Sequence, residues 1–417
     1  MHTHILPLQS RLDKTLRAKL GDEQCVKQAL ARVDREINGF GFGLRRRLLA
    51  GALRLTRSMS PEVADALSDC RSATGFEQPV EIYVRPDADF AAFCAKSAAG
   101  PVTIALSSRI IEAFDGAKLR FVIGHELGHV IYDHFSLPMP LTALIEDMGG
   151  RIVDRATALR LYYWCRAAEI SADRIGLVCC RNPEAAMESF LALASGITPG
   201  RLKPDMPTFA RQIDSLASAP EARVKPHDND LSLDSFDTHP FNPTRVRALL
   251  AFARSSTYAA ATKTLPHPRN LTHEELEHAV ERDLSIMEPS YLEEQTDAAK
   301  LMRRVLYQAG IKVALAHGEI APSELAALKA LLGSEAVKNA PNVEEVRTKL
   351  PVDLAAAAKD VPLFQRAQLV QHLTIIAGAD GNVHDNELMA MREVASALGV
   401  NPMVIEQTLA AAAMPMD

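Results

Sequence analysis

The sequence predicts a mainly helical α+β chain: a first part with a small sheet beside a motif-bearing helix, then an all-helical second part. Three observations carry this. Helical periodicity dominates, as in 12–37 and 44–57. Two short alternating stretches, 80–84 and 102–106, read as strands bounded by proline or glycine. Finally, A-H-G-E-I-A-P-S-E-L-A-A-L-K from Ala316 returns as A-D-G-N-V-H-D-N-E-L-M-A-M-R from Ala379, an internal helix–loop–helix repeat.

With 417 residues, 47% apolar and 24% charged, the chain has room for two or three domains with ordinary cores. The net charge of −6 gives no reason to expect a nucleic-acid partner, and the acidic excess falls after residue 265. No apolar run approaches the ~20 residues of a spanning helix. The start, M-H-T-H-I-L-P-L-Q-S-R-L-D-K, lacks the basic and apolar regions of a signal peptide. Six cysteines without a C-x-x-C pair read as buried thiols of a reducing compartment, so a cytoplasmic location is expected. The segment G-F-G-F-G at 39–43 follows a helix and not a strand, which argues against a phosphate loop. Arg45, Arg46 and Arg47 read as the charged rim of an amphipathic helix.

The chemistry is concentrated in V-I-G-H-E-L-G-H-V-I-Y-D-H, 122–134. On a helix, His125 and His129 share one face, so both imidazoles reach one metal ion while Glu126 stands beside it. Neutral imidazoles hold Zn²⁺ without quenching its Lewis acidity, and a neighbouring carboxylate takes a proton from water. Chance would produce H-E-x-x-H in such a chain on the order of one time in fifty. Ile123, Leu127, Val130 and Ile131 give the helix the apolar setting of a buried site. Asp115 is the expected cap.

Two imidazoles need a further ligand. His134 lies five residues beyond His129, and Tyr132 and Phe135 stand where a metzincin needs glycine and histidine. R-A-A-E-I-S-A-D-R at 166–174 puts Glu169 and Asp173 on one helical face, one carboxylate for the metal and one to orient an imidazole. The alternative is a solvated face paired with Arg166 and Arg174. The strand at 102–106 is the expected sheet edge for an added substrate strand.

H-E-L-G-H followed by E-x-x-x-D within R-x-x-E-x-x-A-D resembles the gluzincin peptidases that include the HtpX heat-shock membrane proteases and the CAAX prenyl protease. The likeness covers roughly residues 79–250 and includes Thr238-His239-Pro240 with Arg245 downstream. It implies one Zn²⁺ per chain, held by His125, His129 and Glu169, with Glu126 as general base and Asp173 as the orienting partner. His239 would approach the oxyanion, although His-Pro also suits a turn before a helix. Unlike the membrane members, this chain has no expected spanning helix, and it carries an insertion at about 136–162 that could cover the cleft. A Pro-, Asp- and Ser-rich stretch, 201–237, reads as a loop.

The expected divisions are a helical region 1–75, a peptidase domain 76–264 and a helical domain 265–417. Thr272-x-x-Glu275 is a capping box opening the last of these. The repeated D-G-x-V-x-x-x-E-L signature, core about 297–409, resembles the TerB-like domain of tellurite-resistance and stress-associated proteins. Asp380, Asp385 and Glu387 are candidate oxygen ligands there, against a purely structural reading as helix caps. The sequence thus predicts a gluzincin-type zinc endopeptidase acting on a protein or peptide, with a protein partner for the TerB-like domain. The alternative is a stress or defence scaffold that keeps a zinc-stabilised, non-catalytic fold.

Overall fold

The computed structural model describes residues 5–39, 44–96, 100–138, 155–201, 203, 205–218, 239–265, 267–287, 290–292, 296–318, 320–333, 337, 342–380 and 382–413. They fall into two units: residues 5–138, 164–216 and 239–284, and residues 155–163, 217–218 and 285–413. The glycine-rich 40–43 and most of the insertion at 136–162 lie outside the described residues.

In the first unit, the helix expected over 12–37 is two, α1 (Arg11–Asp22) and α2 (Gln24–Gly39), because Glu23 adopts an extended conformation between them. After α3 (Leu44–Gly51) come β1 (Leu53–Arg54), α4 (Pro61–Thr74), β2 (Val80–Arg85), β3 (Ala92–Ala95) and β4 (Val102–Ser107). Strand order is β1-β2-β4-β3, with β2 and β4 parallel and the outer strands antiparallel to them. This corrects the expected edge: β4 is interior and buried at every position. The edge belongs instead to β3, whose short run gave no alternating signal. Ser107 ends β4 and caps α5 (Ser108–Ala113) by accepting from Ile110 N–H.

The motif helix is α6 (Gly116–Ile131), opened by Asp115 accepting from Lys118 N–H. It packs against α7 (Arg155–Cys180), whose residues from 164 onward belong to this unit. The two helices meet nearly backbone to backbone. A Cβ on Gly128 would lie 2.8 Å from Ala172 Cα, and one on Gly124 would lie 2.7 Å from Cys179 Cβ. From the other side, a Cβ on Gly176 would meet Phe121 O at 2.8 Å. The glycines inside G-H-E-L-G-H are therefore the contact that sets His125 and His129 opposite Glu169 and Asp173. Gly128→Ala is expected to force the helices apart at ~1–3 kcal/mol, the usual penalty of overpacking. Thermal melting checks this, and a melting temperature equal to wild type would refute it.

Beyond α7 come α8 (Pro183–Ser195) and α9 (Met206–Ser218), which occupies part of the expected loop and buries Met206, Ala210 and Ile213. Then follow α10 (Asn242–Ala253), α11 (Ser256–Thr262) and α12 (His273–Leu284). The capping box forms: Thr272 N–H donates to Glu275 and Glu275 N–H to Thr272 Oγ1. Although α12 follows the boundary expected at 265, it sits in the first unit. Its buried Glu277 accepts from Arg11 N–H and pairs with Arg174 at 2.7 Å.

The second unit is helical: α13 (Asp297–Ala314), α14 (Pro322–Leu332), α15 (Val343–Asp360), α16 (Leu363–Ala377), α17 (Asp385–Ala397) and α18 (Met403–Ala413). Its core gathers Met302, Val305, Leu328, Leu373 and Met391. The repeat is visible in the caps, where Glu324 and Glu387 each accept the backbone N–H three residues earlier, at 2.8 Å in both copies. No described helix is long and apolar enough to cross a membrane.

Candidate metal centre

His125 and His129, one turn apart on α6, aim Nε2 at a common point that Glu169 faces from α7. His125 Nε2 lies 3.2 Å from His129 Nε2, and these stand 3.4 and 3.3 Å from the two Glu169 oxygens. Four bonds of ~2.0–2.1 Å at tetrahedral angles put ligand atoms about 3.3 Å apart, so the donor set fits zinc. Glu169 Oε2 is buried and lacks an aligned hydrogen bond, its contacts being the Arg245 guanidinium at 3.1 Å and His125 Nε2 at 3.4 Å.

Around this set, Asp173 Oδ1 stands 2.9 Å from His125 Nδ1, so that nitrogen carries the proton and Nε2 is left bare. Arg245, from α10, grips Asp173 with Nε at 2.9 Å and an NH2 at 2.7 Å, and that NH2 also reaches Glu169 at 3.1 Å. Burial alone would raise the Glu169 carboxyl, yet His239, Arg245, His125 and His129 hold it well below the usual range. Asp173 is treated likewise: burial raises it, and Arg245 and His125 outweigh that. Both are ionised, as a ligand and its orienting partner must be.

His239 lies on the open side, 62% exposed, with Nε2 3.6 Å from Glu169; Thr238 falls outside the described residues. Glu126 is 5% exposed. Cys94 on β3 lies beside it: burial first, then the Glu126 charge, pushes that thiol up. The base therefore lies close to Cys94 of the edge strand β3. Of the six thiols, Cys25 is exposed, contrary to expectation, and Cys94 half-buried; Cys70, Cys165, Cys179 and Cys180 are buried.

The region carrying this geometry, residues 58–253, matches the model of peptidase family M48. Residues 58–253 are an M48 peptidase domain. Residues 303–410 match the tellurite resistance protein TerB, so a TerB domain follows. The chain is also 26% identical over 165 residues to "Plastoglobule-localized metallopeptidase 48, chloroplastic" from Arabidopsis thaliana, a match covering 38% of this chain. It spans about half, 48%, of that relative's length.

Two residues of the M48 domain carry more than sequence reasoning gave them. The sequence marks Arg245 only by its place downstream of His-Pro, and His134 only by a spacing from His129 that does not fit a metzincin ligand. Its ring stands behind His129, with the two Nδ1 atoms 2.9 Å apart. Neither has a spacing rule, because each comes from another element or from a 3₁₀ turn past the helix end.

In the TerB domain the donors that converge are His317, Glu324 and Glu387, and Asp385 is not among them. The caps explain why: each repeat turns its glutamate inward while Asp385 stays at the exposed helix start. Burial, and then the Glu387 carboxylate beside it, pushes the Glu324 carboxyl up to about 7. The folded state thus holds this proton more tightly than the unfolded chain, and its contribution to stability is lost as pH rises from about 4.5 to 7. Glu324→Gln, which keeps the cap, is expected to flatten that part of the melting temperature against pH. Identical slopes in variant and wild type would refute it.

Proposed function

We propose that this chain is a zinc-dependent endopeptidase. The observation that carries the reading is the three-donor set at tetrahedral spacing with an intact carboxylate, Glu126, next to it on the same helix. Zinc held by His125, His129 and Glu169 would supply Lewis acidity and a water of lowered pKa. Glu126 takes the proton from the attacking water and delivers it to the leaving amine. His239, exposed at the mouth, donates to the developing oxyanion. Asp173 holds the His125 ring, and Arg245 fixes Asp173.

Among the described residues β3 has no strand on its outer side. An extended peptide added there would be recognised through its backbone and laid beside Glu126. The substrate is therefore an unfolded or locally extended segment of a protein. The TerB domain is read as the part that docks a protein partner, and the cytoplasm as the compartment. The test is cleavage of a proteome-derived peptide library by the zinc-loaded protein. Chelator-sensitive cleavage restored by zinc is expected; a zinc-bound protein that cleaves nothing would instead make the fold a scaffold.

A further inference from the structure

The groups that fix the second imidazole lie away from the cleft and end on helix α1. His129 must present a bare Nε2 to a metal, so its ring proton belongs on Nδ1, and the atom facing Nδ1 must accept. That atom is Nδ1 of His134, 2.9 Å away. The other nitrogen of His134, Nε2, lies 3.1 Å from Asp13 Oδ2. Asp13 and His134 are almost wholly buried, at 0% and 1% exposure.

The direction of this chain is set at its far end. Indole N–H can only donate, and Trp164 Nε1 gives its proton to Asp13 Oδ1 at 2.9 Å. Ser171 Oγ accepts from Ser10 N–H at 3.0 Å, and its own hydroxyl proton points to Asp13 Oδ2 at 2.7 Å. Gln9 Nε2 adds a donor at 2.9 Å. Asp13 is accordingly an acceptor on both oxygens, and His134 Nε2 must donate to it. A neutral His134 then has a lone pair at Nδ1, and His129 donates to that lone pair.

We propose that Asp13 is a positioning residue for the metal centre. Through His134 it fixes the ring tautomer of His129, leaving Nε2 bare toward the ion, as Asp173 does directly for His125. The proposal rests on the zinc reading above and extends it to a residue outside 58–253, the segment matched to family M48.

Asp13→Asn tests it because the amide reverses the wire. With its oxygen kept on Trp164, its NH₂ faces His134, which must accept at Nε2 and turn an Nδ1–H toward His129. His129 then holds its proton on Nε2, the end that should bind. Chelator competition is expected to show zinc affinity lowered by ~10–100-fold. Ser171→Ala, which removes a donor but keeps the carboxylate, is expected to bind zinc as wild type does. The readout that a merely structural role would not move is the ring-nitrogen spectrum of ¹⁵N-histidine-labelled protein. Wild type should carry the His134 proton on Nε2 and the His129 proton on Nδ1, and Asp13→Asn should exchange both. Wild-type zinc affinity in a folded Asp13→Asn protein, or a wild-type His134 protonated on Nδ1, would overturn the proposal. If the variant does not fold, the wild-type spectrum decides alone. A wild type that takes up no zinc overturns the zinc reading instead, and the His134 ring in that zinc-free protein still reports on the wire.

Discussion

Glu126→Gln is expected to abolish peptide hydrolysis while leaving zinc bound. The substitution keeps shape and length, and Glu126 is not one of the three converging donors, so the metal set is untouched. What disappears is a basic oxygen, and a glutamine amide cannot take a proton from water. General-base catalysis contributes about 10²- to 10⁴-fold, so turnover should fall by at least that lower figure. The loss should appear in kcat, because the proton moves in the transition state and not on binding. Steady-state kinetics beside metal analysis on the same sample separate the two effects. A variant with full activity would remove Glu126 from the mechanism.

The second large effect is expected for Glu169→Gln. Glu169 is buried, ionised and faces both imidazoles. An amide oxygen in its place is a weaker ligand and brings no charge. Changing residues that only orient a ligand typically costs 10- to 100-fold in affinity, so loss of a ligand should exceed about 100-fold. Arg245 retains its two-pronged grip on Asp173, so the fold should survive with the metal gone. Metal analysis after dialysis checks this. About one zinc per chain in wild type and little in the variant is the expected result, and equal loading would exclude Glu169 as a ligand.

The sequence spoke clearly wherever chemistry is local. His125, Glu126 and His129 sit on one helix, Glu169 and Asp173 on another, and i, i+4 spacing declares each pair before any fold is known. The glycines within the motif were equally visible, but their purpose needs the facing Ala172 and Cys179. Sheet order was not readable, since β3 is four residues of half-buried Ala, Phe and Cys with no alternation. The partners that hold the ligands were hidden for a related reason. Asp13, His134 and Arg245 act through rings and carboxylates contributed by other elements, and no periodicity links residue 13 to residue 134. The TerB domain shows the same limit: its repeat was plain, yet the inward turn of Glu324 toward His317 and Glu387 depends on how the two copies meet.

The grip of Arg245 on two carboxylates also fixes the electrical balance of the cleft. Around the centre, Glu126, Glu169 and Asp173 carry three formal negative charges and Arg245 one positive, an excess that a divalent cation held by His125, His129 and Glu169 would offset. A buried excess of that size is costly: burial opposes a proton on His125, yet Glu169 and Asp173 outweigh it and raise that imidazole above its usual value. Loading therefore displaces protons, so ion uptake should weaken steadily in acid. The pocket matches a charge before it selects an element. Other divalent transition ions should enter with an affinity that follows their intrinsic preference for nitrogen and oxygen donors, and monovalent ions should not.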